Sequence, residues 1–387
     1  MRLAMIGRYY NRQGGVSRVM AELAERAAAT HEVDVYAHEV LDALPGTKVR
    51  FVDTPMRERP ALLALPSFAR SVERRLDRSA YDVVHAHDGQ TPDADVQTAH
   101  SCYAAWLDDV RRGAGLKGAL SRVYPRHVMT DRWERRGLGG DAVIVAISRV
   151  VASELEQYLH IDPSRIRVIH NGVDVETFRP ADSPAAARAA IPPDERAADD
   201  RVMLLFAGMY FRRKGLEPLL RGLARLRGGP WTLTVVGGDD DAPFRALAAE
   251  LQIADQVHFT GHRPKIAPYF QAADAFVFPT AYEPFGLVIT EALACGTPVI
   301  TTATAGGAEL MADGRDGFLL RDPHDPEEIA GAVQRFLDLS PEARRAMRAA
   351  ARESVLATSW DEQWRKYDEL FTEVAANRRA GRAPWAS

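Results

Sequence analysis

Residues 275–302 read AFVFPTAYEPFGLVITEALACGTPVITT, and this stretch alone indicates the architecture of the chain. An apolar run, Ala275–Pro279, precedes a short turn, a helical stretch that begins about Gly286, and a second strand-like run, Val299–Thr302. Gly296 stands where that helix must stop, because glycine is typical of helix ends. The stretch therefore predicts two parallel strands joined by a crossover helix.

The same alternation of strand-like and helical runs, such as the helical Ser17–Ala29 and Val150–His160, extends over most of the chain. It is interrupted by Pro180–Asp200, which is rich in Ala, Pro and Asp and which we interpret as a linker region. We predict two doubly wound, Rossmann-like α/β domains, residues 1–180 and 181–358, facing each other across a ligand-binding cleft. The strand-like runs outside 275–302 are Leu3–Gly7, Val33–Ala37, Val49–Asp53, Val83–Ala86, Val96–His100, Val143–Ser148, Ile166–His170, Val202–Gly208, Leu233–Gly237 and Val257–Thr260.

The end of the chain predicts one further amphipathic helix, residues 359–376. Trp360, Trp364, Tyr367 and Phe371 share one face of it at helical spacing, which is typical of a buried packing stripe. We expect this helix to pack back on the N-terminal domain.

Composition narrows the class of protein. A chain of 387 residues exceeds the roughly 250–300 residues that one core usually supports. A net charge of -4 gives no basic footprint for nucleic acid, and two distant cysteines, Cys102 and Cys295, exclude a disulfide framework. No signal-peptide pattern and no apolar run of ~20 residues is found in the sequence, so we expect a cytoplasmic protein.

Two segments that follow predicted strands carry groups suited to phosphate. Gly14 and Gly15 open the first helix, where free amides can approach an anion closely, although a plain loop is the simpler explanation of a glycine pair alone. The turn Gly208–Gly215 contains Arg212, Arg213 and Lys214 just before another helix, which indicates either a diphosphate clamp or a solvated basic turn.

Two carboxylates flank the helix of the opening stretch. Glu283 lies in the turn before it, and Glu291 lies in its second turn. Both could face one crevice and accept hydrogen bonds from sugar or ribose hydroxyls. In the structural alternative, Glu283 favours a helix N-terminus and Glu291 faces solvent.

The segment Glu283–Glu291 resembles the E-x7-E motif of retaining glycosyltransferases of family 4, which have the GT-B fold. The resemblance covers nearly the whole chain, and the turn Phe211–Gly215 is similar to that of bacterial glucosyltransferases that build the lipopolysaccharide core. The other segments that fit are His170–Asp174, Ala305–Glu309 and Gly314–Leu320.

The resemblance implies a role for each charged residue of the C-terminal domain, which binds the nucleotide in this family. Glu291 would bind the ribose hydroxyls, Arg213 and Lys214 the diphosphate, and Glu283 the donor-sugar hydroxyls. Many family members have an arginine where Met209 stands, and we assume that Arg213 takes over its work.

The resemblance also assigns uncharged donor contacts and one histidine. His100 matches a family histidine beside the donor sugar, although a hydrogen-bonded histidine at a strand end is the simpler local interpretation. The backbone would contribute at Gly14 and Gly15 from the N-terminal domain, and at Gly208, Phe285, Gly286 and Leu287 from the C-terminal domain.

The reaction implied is transfer of a hexosyl group with retention of anomeric configuration. In a front-face mechanism, the donor phosphate helps to deprotonate the acceptor hydroxyl, and protein cations stabilise the leaving diphosphate, so no metal or other cofactor is needed. UDP-glucose is the first choice of donor, on the resemblance to that subgroup, and UDP-N-acetylglucosamine and GDP-mannose follow. The acceptor is a glycan, a glycolipid or a small molecule. His85 and His87 lack the further ligands of a metal site.

The strongly basic stretch 111–136 lies in the domain that binds acceptors in this family. It could contact the anionic inner face of the cell membrane, grip an anionic acceptor, or be a solvated helical face. Its charged residues are Arg111, Arg112, Lys117, Arg122, Arg126, Asp131, Arg132, Glu134, Arg135 and Arg136.

Three other functions remain compatible with this sequence. A nucleotide-sugar epimerase of the same fold would consume donor without acceptor. A phosphorylase-type enzyme would carry lysine-bound pyridoxal phosphate, with its visible absorbance. A non-catalytic protein that binds a nucleotide sugar would keep the site but show no turnover.

Overall fold

The computed structural model describes residues 1–113, 124–196, 201–226 and 230–386, without the side chains of 111–113 and 184. The chain forms two compact units. Unit 1 consists of Met1–Gly172 together with Trp360–Ser387, and unit 2 of Val173–Ser359. The division after Gly172 differs from the predicted one after residue 180, because the segment 173–180 packs with unit 2 through Val173 and Phe178.

Unit 1 is built on a parallel sheet of seven strands in the order β5-β3-β1-β6-β7-β8-β9, and β2 and β4 form a small separate pair. The strands are β1 (Arg2–Ile6), β2 (Tyr9–Tyr10), β3 (Glu32–Ala37), β4 (Glu39–Val40), β5 (Arg50–Asp53), β6 (Val83–His87), β7 (Val96–Ala99), β8 (Val143–Ala146) and β9 (Ile166–Val168). The α-helices described in this unit are α1 (Gly15–Ala27), α2 (Ala64–Arg75), α3 (Tyr103–Gly113), α4 (Pro125–Leu138), α5 (Arg149–Leu159) and, at the end of the chain, α13 (Trp360–Arg379).

Unit 2 contains a parallel sheet of six strands in the order β12-β11-β10-β13-β14-β15. The strands are β10 (Val202–Ala207), β11 (Trp231–Val236), β12 (Val257–Gly261), β13 (Ala275–Phe278), β14 (Val299–Thr302) and β15 (Gly317–Leu320). The α-helices described in this unit are α6 (Pro184–Ala189), α7 (Leu216–Leu223), α8 (Ala242–Glu250), α9 (Ala267–Ala272), α10 (Leu287–Ala294), α11 (Pro326–Leu337) and α12 (Pro341–Val355).

Burial on both faces explains why the central strands are apolar runs without alternation. All residues of β10 (VMLLFA) after its first, and every residue of β13 (AFVF), are buried. In the core of unit 2, the ring of Phe278 stacks on that of Phe276 at 5.3 Å between centroids and contacts that of Phe206 at 5.9 Å. Two parallel Rossmann-like sheets, one in each unit, confirm the predicted fold class.

Helix α13 belongs to unit 1, where it packs against α1 and β6, as predicted. It extends beyond the expected residue 376, to Arg379. Trp360, Tyr367 and Phe371 of the aromatic stripe are buried, and Trp364 is half-buried with its ring 6.0 Å from that of His31.

The interpretation of Pro180–Asp200 as a linker was wrong for its first part. Ser183 caps helix α6 by accepting a hydrogen bond from the amide of Ala186, and Pro184 occupies the first turn. Ala187 and Ile191 are buried in the core of unit 2, so a helical cap and two apolar side chains outweigh the proline and aspartate content. Residues 197–200 lie outside the described residues.

Strand β15 was not predicted. It has only four residues, and a side chain at Gly317 would overlap the carbonyl oxygen of Val299 on the neighbouring strand. Within the described part of the chain, no helix is long and apolar enough to cross a membrane.

Candidate functional site

The topology of unit 2 brings two loops together at one edge of its sheet. β10 and β13 are neighbours, but the chain continues from β10 to β11 on one side and from β13 to β14 on the other. Such a switch point opens a crevice at the carboxyl ends of the strands, where doubly wound sheets bind ligands. The segments that leave the two strands there are 208–215 and 279–286, which hold the basic turn and the first glutamate of the E-x7-E motif.

These two loops are in close contact. Gly215 has φ +84°, and a side chain at this position would overlap the carbonyl oxygen of Pro279, so only glycine fits. The amide of Ala281 donates to the carbonyl oxygen of Arg213 at 3.3 Å. At the start of the turn, Gly208 has φ +148° and donates its amide to the carbonyl of Val236 at 3.0 Å. The backbone therefore fixes the basic turn against the glutamate loop.

An ion pair joins the two loops through their side chains. The ammonium of Lys214 contacts Oε2 of Glu283, and both side chains are 11% exposed. Burial lowers the pKa of Lys214, and the charge of Arg213 acts in the same direction, whereas the ion pair with Glu283 stabilises the ammonium. The ammonium also lies 5.1 Å from the ring centroid of Phe278. Two residues that are 69 positions apart thus form one charged pair at the switch point.

The other two cations of the turn behave differently. Arg213 donates from its guanidinium to the carbonyl oxygen of Tyr282 at 2.9 Å and lies over the ring of Tyr210 at 5.5 Å. Arg212 is exposed and pairs with Glu217 at 3.3 Å. The structure therefore brings Arg213 and Lys214, but not the side chain of Arg212, to the glutamate loop.

Helix α10 carries the second half of the motif. Gly286 precedes it with φ +84°, Phe285 is buried, and Leu287 is its first residue. The first amides of a helix have no partner within the helix and can bind oxygen atoms of a ligand. Glu291 lies one turn after Leu287 and is 4% exposed. The structural alternative, in which Glu291 faces solvent, is therefore excluded.

Two glycines that support this loop, Gly306 and Gly307, had no predicted role. The amide of Gly306 donates to the carbonyl of Glu283 at 2.9 Å, and that of Gly307 donates to the carbonyl of Phe285 at 2.6 Å. A side chain at Gly307 would lie 2.9 Å from the same carbonyl oxygen. The only signal in the sequence was the segment Ala305–Glu309 among the family-like segments.

In unit 1, Gly14 and Gly15 begin helix α1 at the exposed surface. The side-chain oxygen of Asn11, which the sequence analysis missed, accepts from the amide of Gly14 at 3.1 Å and from the hydroxyl of Ser17 at 2.9 Å. A side chain at Gly15 would meet no atom within 4 Å, so packing of unit 1 does not require glycine there. The space beside Gly15 is open.

His100 follows β7 and is buried, with 7% exposure. Its backbone amide donates to Oδ1 of Asp88 at 2.9 Å, and its ring Nε2 lies 2.8 Å from Nδ1 of His87. Burial lowers the pKa of His100, so the ring is neutral near pH 7. A neutral ring can exchange a hydrogen bond with a hydroxyl but provides no positive charge.

The other two histidines lie in the interior of unit 1. Nε2 of His85 lies 2.8 Å from the hydroxyl of Thr98, which in turn lies 3.2 Å from the hydroxyl of Tyr367 on α13. Burial lowers the pKa of His85 to about 3 and that of His87 well below its usual range. Their rings also contact each other, the ring of His100 and the ring of Tyr367.

Unit 1 also contains a cavity of about 460 Å³ that the sequence analysis did not predict. Gln90 lines it with 2% exposure, and its Oε1 has no hydrogen-bond partner among the described residues. Arg8 also lines the cavity. Its Nε is buried and likewise has no hydrogen-bond partner among the described residues. The rings of Tyr9 and Trp133 contribute apolar surface. The residues that line the cavity therefore combine charged and amide side chains with aromatic rings, a composition that suits a small polar ligand.

Glu134 faces the same cavity from helix α4. Both of its carboxylate oxygens accept from the amide of Tyr103, at 2.9 and 3.0 Å. Burial raises the pKa of Glu134 to about 8. No spacing in the sequence connects these residues, which explains why the cavity was missed.

The basic stretch 111–136 is only partly described. Lys117 and Arg122 lie outside the described residues, and so do the side chains of Arg111 and Arg112. Among the rest, Arg135 pairs with Asp131 at 3.0 Å and Arg136 lies over the ring of Trp133 at 5.5 Å, whereas Arg126 lines the cavity.

Two protein families match this chain. The family described as "Glycosyltransferase Family 4" matches residues 13–177, and the family described as "Glycosyl transferases group 1" matches residues 187–354. The first match lies almost wholly in unit 1 and the second lies in unit 2.

Curated relatives are similar over nearly their full length. The D-inositol 3-phosphate glycosyltransferase of Streptomyces scabiei is 31% identical, over 95% of this chain and 88% of the relative. The protein of the same name from Frankia alni is 33% identical, over 84% and 86%.

A solved structure supports the fold. WaaG, a glycosyltransferase involved in lipopolysaccharide biosynthesis, matches 96% of this chain and 99% of its own with a TM-score of 0.80 and 24% sequence identity. The resemblance inferred from the E-x7-E motif is therefore confirmed, and the chain belongs to the glycosyltransferases of family 4, with the GT-B fold.

Proposed function

We propose that this glycosyltransferase moves a hexosyl group from a UDP-sugar, with UDP-glucose the first choice, to an acceptor hydroxyl with retention of configuration. The observation that carries the proposal is the ion pair between Lys214 and Glu283 at the switch point of unit 2. It joins a cation suited to diphosphate and a carboxylate suited to sugar hydroxyls.

Each donor contact then follows from chemistry and from the family resemblance. Arg213 and Lys214 hold the diphosphate, and Glu283 and the amides at Phe285, Gly286 and Leu287 bind the sugar. Glu291 binds the ribose hydroxyls. Gly208, Gly14 and Gly15 allow close approach to the phosphates, and His100 contacts the donor sugar.

The proposed mechanism is a front-face transfer without a metal ion. As the glycosidic bond breaks, negative charge grows on the leaving diphosphate, and two protein cations stabilise it where it develops. Glu283 is occupied by its ion pair, which argues against its acting as a nucleophile like the second carboxylate of a retaining glycosidase. The donor phosphate itself takes the proton of the acceptor hydroxyl.

The acceptor, a glycan, a glycolipid or a small molecule, is assigned to unit 1. The cavity there, which Arg8, Gln90 and Arg126 line, supports a small polar acceptor. The names of the curated relatives add D-inositol 3-phosphate as a specific candidate, in which Arg8 and Arg126 would bind the phosphate.

The first experiment is thermal stabilisation by UDP-, GDP-, ADP- and dTDP-sugars without metal, with Glu291→Ala as the control. A ligand that binds the folded state raises the melting temperature by mass action. One nucleotide sugar should shift the wild type but not the control. If no donor shifts the wild type, the donor site assigned here is wrong.

Turnover with this donor then identifies the reaction. The acceptors to compare are D-inositol 3-phosphate, free inositol and a lipopolysaccharide core fragment, and NMR of the product gives its anomeric configuration. Donor consumed without acceptor would favour an epimerase, and binding without any turnover would favour a non-catalytic protein. An inverted anomer would exclude retention.

Contact with the anionic inner face of the cell membrane through 111–136 remains part of the proposal for this cytoplasmic enzyme. Vesicles containing phosphatidylglycerol at low salt should bind the protein, and neutral vesicles should not. If the protein binds neither kind of vesicle, the proposed membrane contact is wrong.

A further inference from the structure

Tyr210 has an unfavourable backbone conformation and an exposed side chain. Its φ is +60°, a left-handed value that is uncommon for any residue other than glycine and costly for a bulky one. Tyr210 is 64% exposed, so burial of its ring does not offset the cost of this backbone conformation. Such strain at a ligand-binding loop calls for a functional explanation.

The turn itself does not need a tyrosine. Tyr210 supports the turn through its carbonyl oxygen, which accepts from the amide of Lys214 at 3.1 Å, and any residue provides this group. Gly208 and Gly215 occupy the other positions of the turn with positive φ. Glycine at position 210 would therefore form the same turn at lower cost.

What the side chain adds is a surface for Arg213. The guanidinium lies 5.5 Å from the centroid of the Tyr210 ring, within the range of a cation–π contact. On another side it donates to the carbonyl oxygen of Tyr282 at 2.9 Å. Among the described residues, the tyrosine hydroxyl has no hydrogen-bond partner, so the ring face is the group that acts.

A guanidinium held in this way loses less freedom when it binds a diphosphate. Free arginine side chains populate many rotamers, whereas two contacts on different loops restrict this one before the ligand arrives. The planar fork of the guanidinium matches two phosphate oxygens only in a narrow range of orientations. The gain in binding from an oriented Arg213 can therefore offset the backbone strain at Tyr210.

We propose that Tyr210 is a positioning residue, which orients Arg213 toward the diphosphate of the donor. The proposal rests on the donor site described under the proposed function and adds to it a determinant outside the E-x7-E motif. It also explains how Arg213 can serve where the family more often has an arginine at the position of Met209.

Calorimetric titration with UDP and with UMP tests the proposal, because UMP lacks the second phosphate; GDP and GMP replace them if the donor panel selects GDP. Tyr210→Phe keeps the ring and should bind UDP as the wild type does. Tyr210→Leu keeps the backbone strain but removes the aromatic face, and should bind UDP about three-fold to ten-fold more weakly, with UMP binding unchanged.

Tyr210→Gly separates positioning from stability. It removes the strain, so its melting temperature should rise by about 2–4 °C, while its affinity for UDP falls as in Tyr210→Leu. A purely structural role would change the melting temperature without changing the ratio of UDP to UMP affinity. That result, or unchanged UDP binding in Tyr210→Leu, would overturn the proposal.

Arg213→Met distinguishes this proposal from the proposed function. If Arg213→Met loses UDP affinity and Tyr210→Leu does not, the donor site stands and only the role of Tyr210 is wrong. If Arg213→Met binds UDP like the wild type, the assigned diphosphate contact fails and the inference fails with it. In the double variant, Tyr210→Leu should have no further effect, because its action passes through Arg213.

Discussion

The candidate sites of the two units are built in opposite ways. In unit 2, two short segments that each directly follow a strand form the site. Backbone contact with Pro279 requires glycine at position 215, and a φ of +84° favours it at Gly286. In unit 1, the cavity collects side chains from distant parts of the chain, and Gly15 has open space around it. A site made from strand-end loops therefore leaves a motif in the sequence, whereas a site made from scattered side chains does not.

The largest expected effect is loss of the cation that joins the two loops. Lys214→Met leaves Glu283 buried without its partner and removes a charge that stabilises the leaving diphosphate. We expect kcat to fall by about 10²–10³-fold. The free energy of unfolding of unit 2 should fall by about 3–5 kcal/mol, measured by chemical denaturation.

Arg212→Met is the matched control for Lys214→Met. It removes a cation from the same turn, but Arg212 is exposed and pairs with Glu217. Both kcat and stability should stay near the wild type. A loss of kcat below ten-fold in Lys214→Met would refute the assignment of the ion pair to the reaction.

The next effect concerns the ribose. Glu291→Gln keeps the shape of a buried side chain but removes its charge, so KM for the donor should rise by about 10–100-fold. The exposed Glu250→Gln should leave KM unchanged. The wild type should discriminate against a 2′-deoxy donor and the variant should not; equal discrimination by both would move the ribose contact to another residue.

Two alanine substitutions test the contrast between the units. Gly215→Ala forces a side chain onto the carbonyl oxygen of Pro279 and should lower the free energy of unfolding by about 2 kcal/mol or more. In Gly15→Ala the added methyl group contacts no other atom within 4 Å, so the melting temperature should not fall. KM for the donor should rise. An unchanged KM in Gly15→Ala would remove Gly15 from the donor site.

The smallest effect is a dependence of stability on pH in unit 1. The folded-state pKa of His85 is about 3, below the unfolded value of about 6.5, so the unfolded chain binds the extra proton between these values. Because the folded state lacks this proton, the free energy of unfolding is highest above pH 6.5. It falls by up to about 1.4 kcal/mol per pH unit through His85 as the pH decreases from 6.5 toward 3.

Denaturation of unit 1 at pH 7.5 and 5.5 measures the effect of His85. His85→Gln can still bond to Thr98 and should lose part of the decline. His324→Gln, at an exposed position of unit 2, should keep all of it. An equal decline in wild type and His85→Gln would show that His85 is protonated in the folded state.

Much of the fold could be predicted because burial on both faces of a parallel sheet leaves continuous apolar runs. Those runs located 12 of the 15 described strands, among them the two that form the switch point of unit 2. Strand β15 was missed because its four residues include a glycine, and β2 and β4 because they have two residues each. The helix at Pro184–Ala189 was missed because a capping serine and two core contacts outweighed local composition.

The candidate site was predictable to the extent that it follows strand ends. Glu283, Arg213 and Lys214 lie next to one another because parallel strands carry the segments after them to the same edge. Composition and spacing could not distinguish the orientation of Arg212 from that of Arg213, because both stand in the same basic turn; only the family resemblance selected Arg213. It also gave no sign of the cavity, whose lining comes from segments with no common spacing.

The α/β class, the two domains and the order of the charged segments were all determined by the sequence, because they depend on local periodicity and on the residues directly after each strand. The tertiary structure was needed to establish that Lys214 pairs with Glu283, that Glu291 is buried, and that Tyr210 is strained beneath Arg213. Those facts depend on which segments the tertiary structure brings together and on the backbone conformation of a turn, and local composition encodes neither.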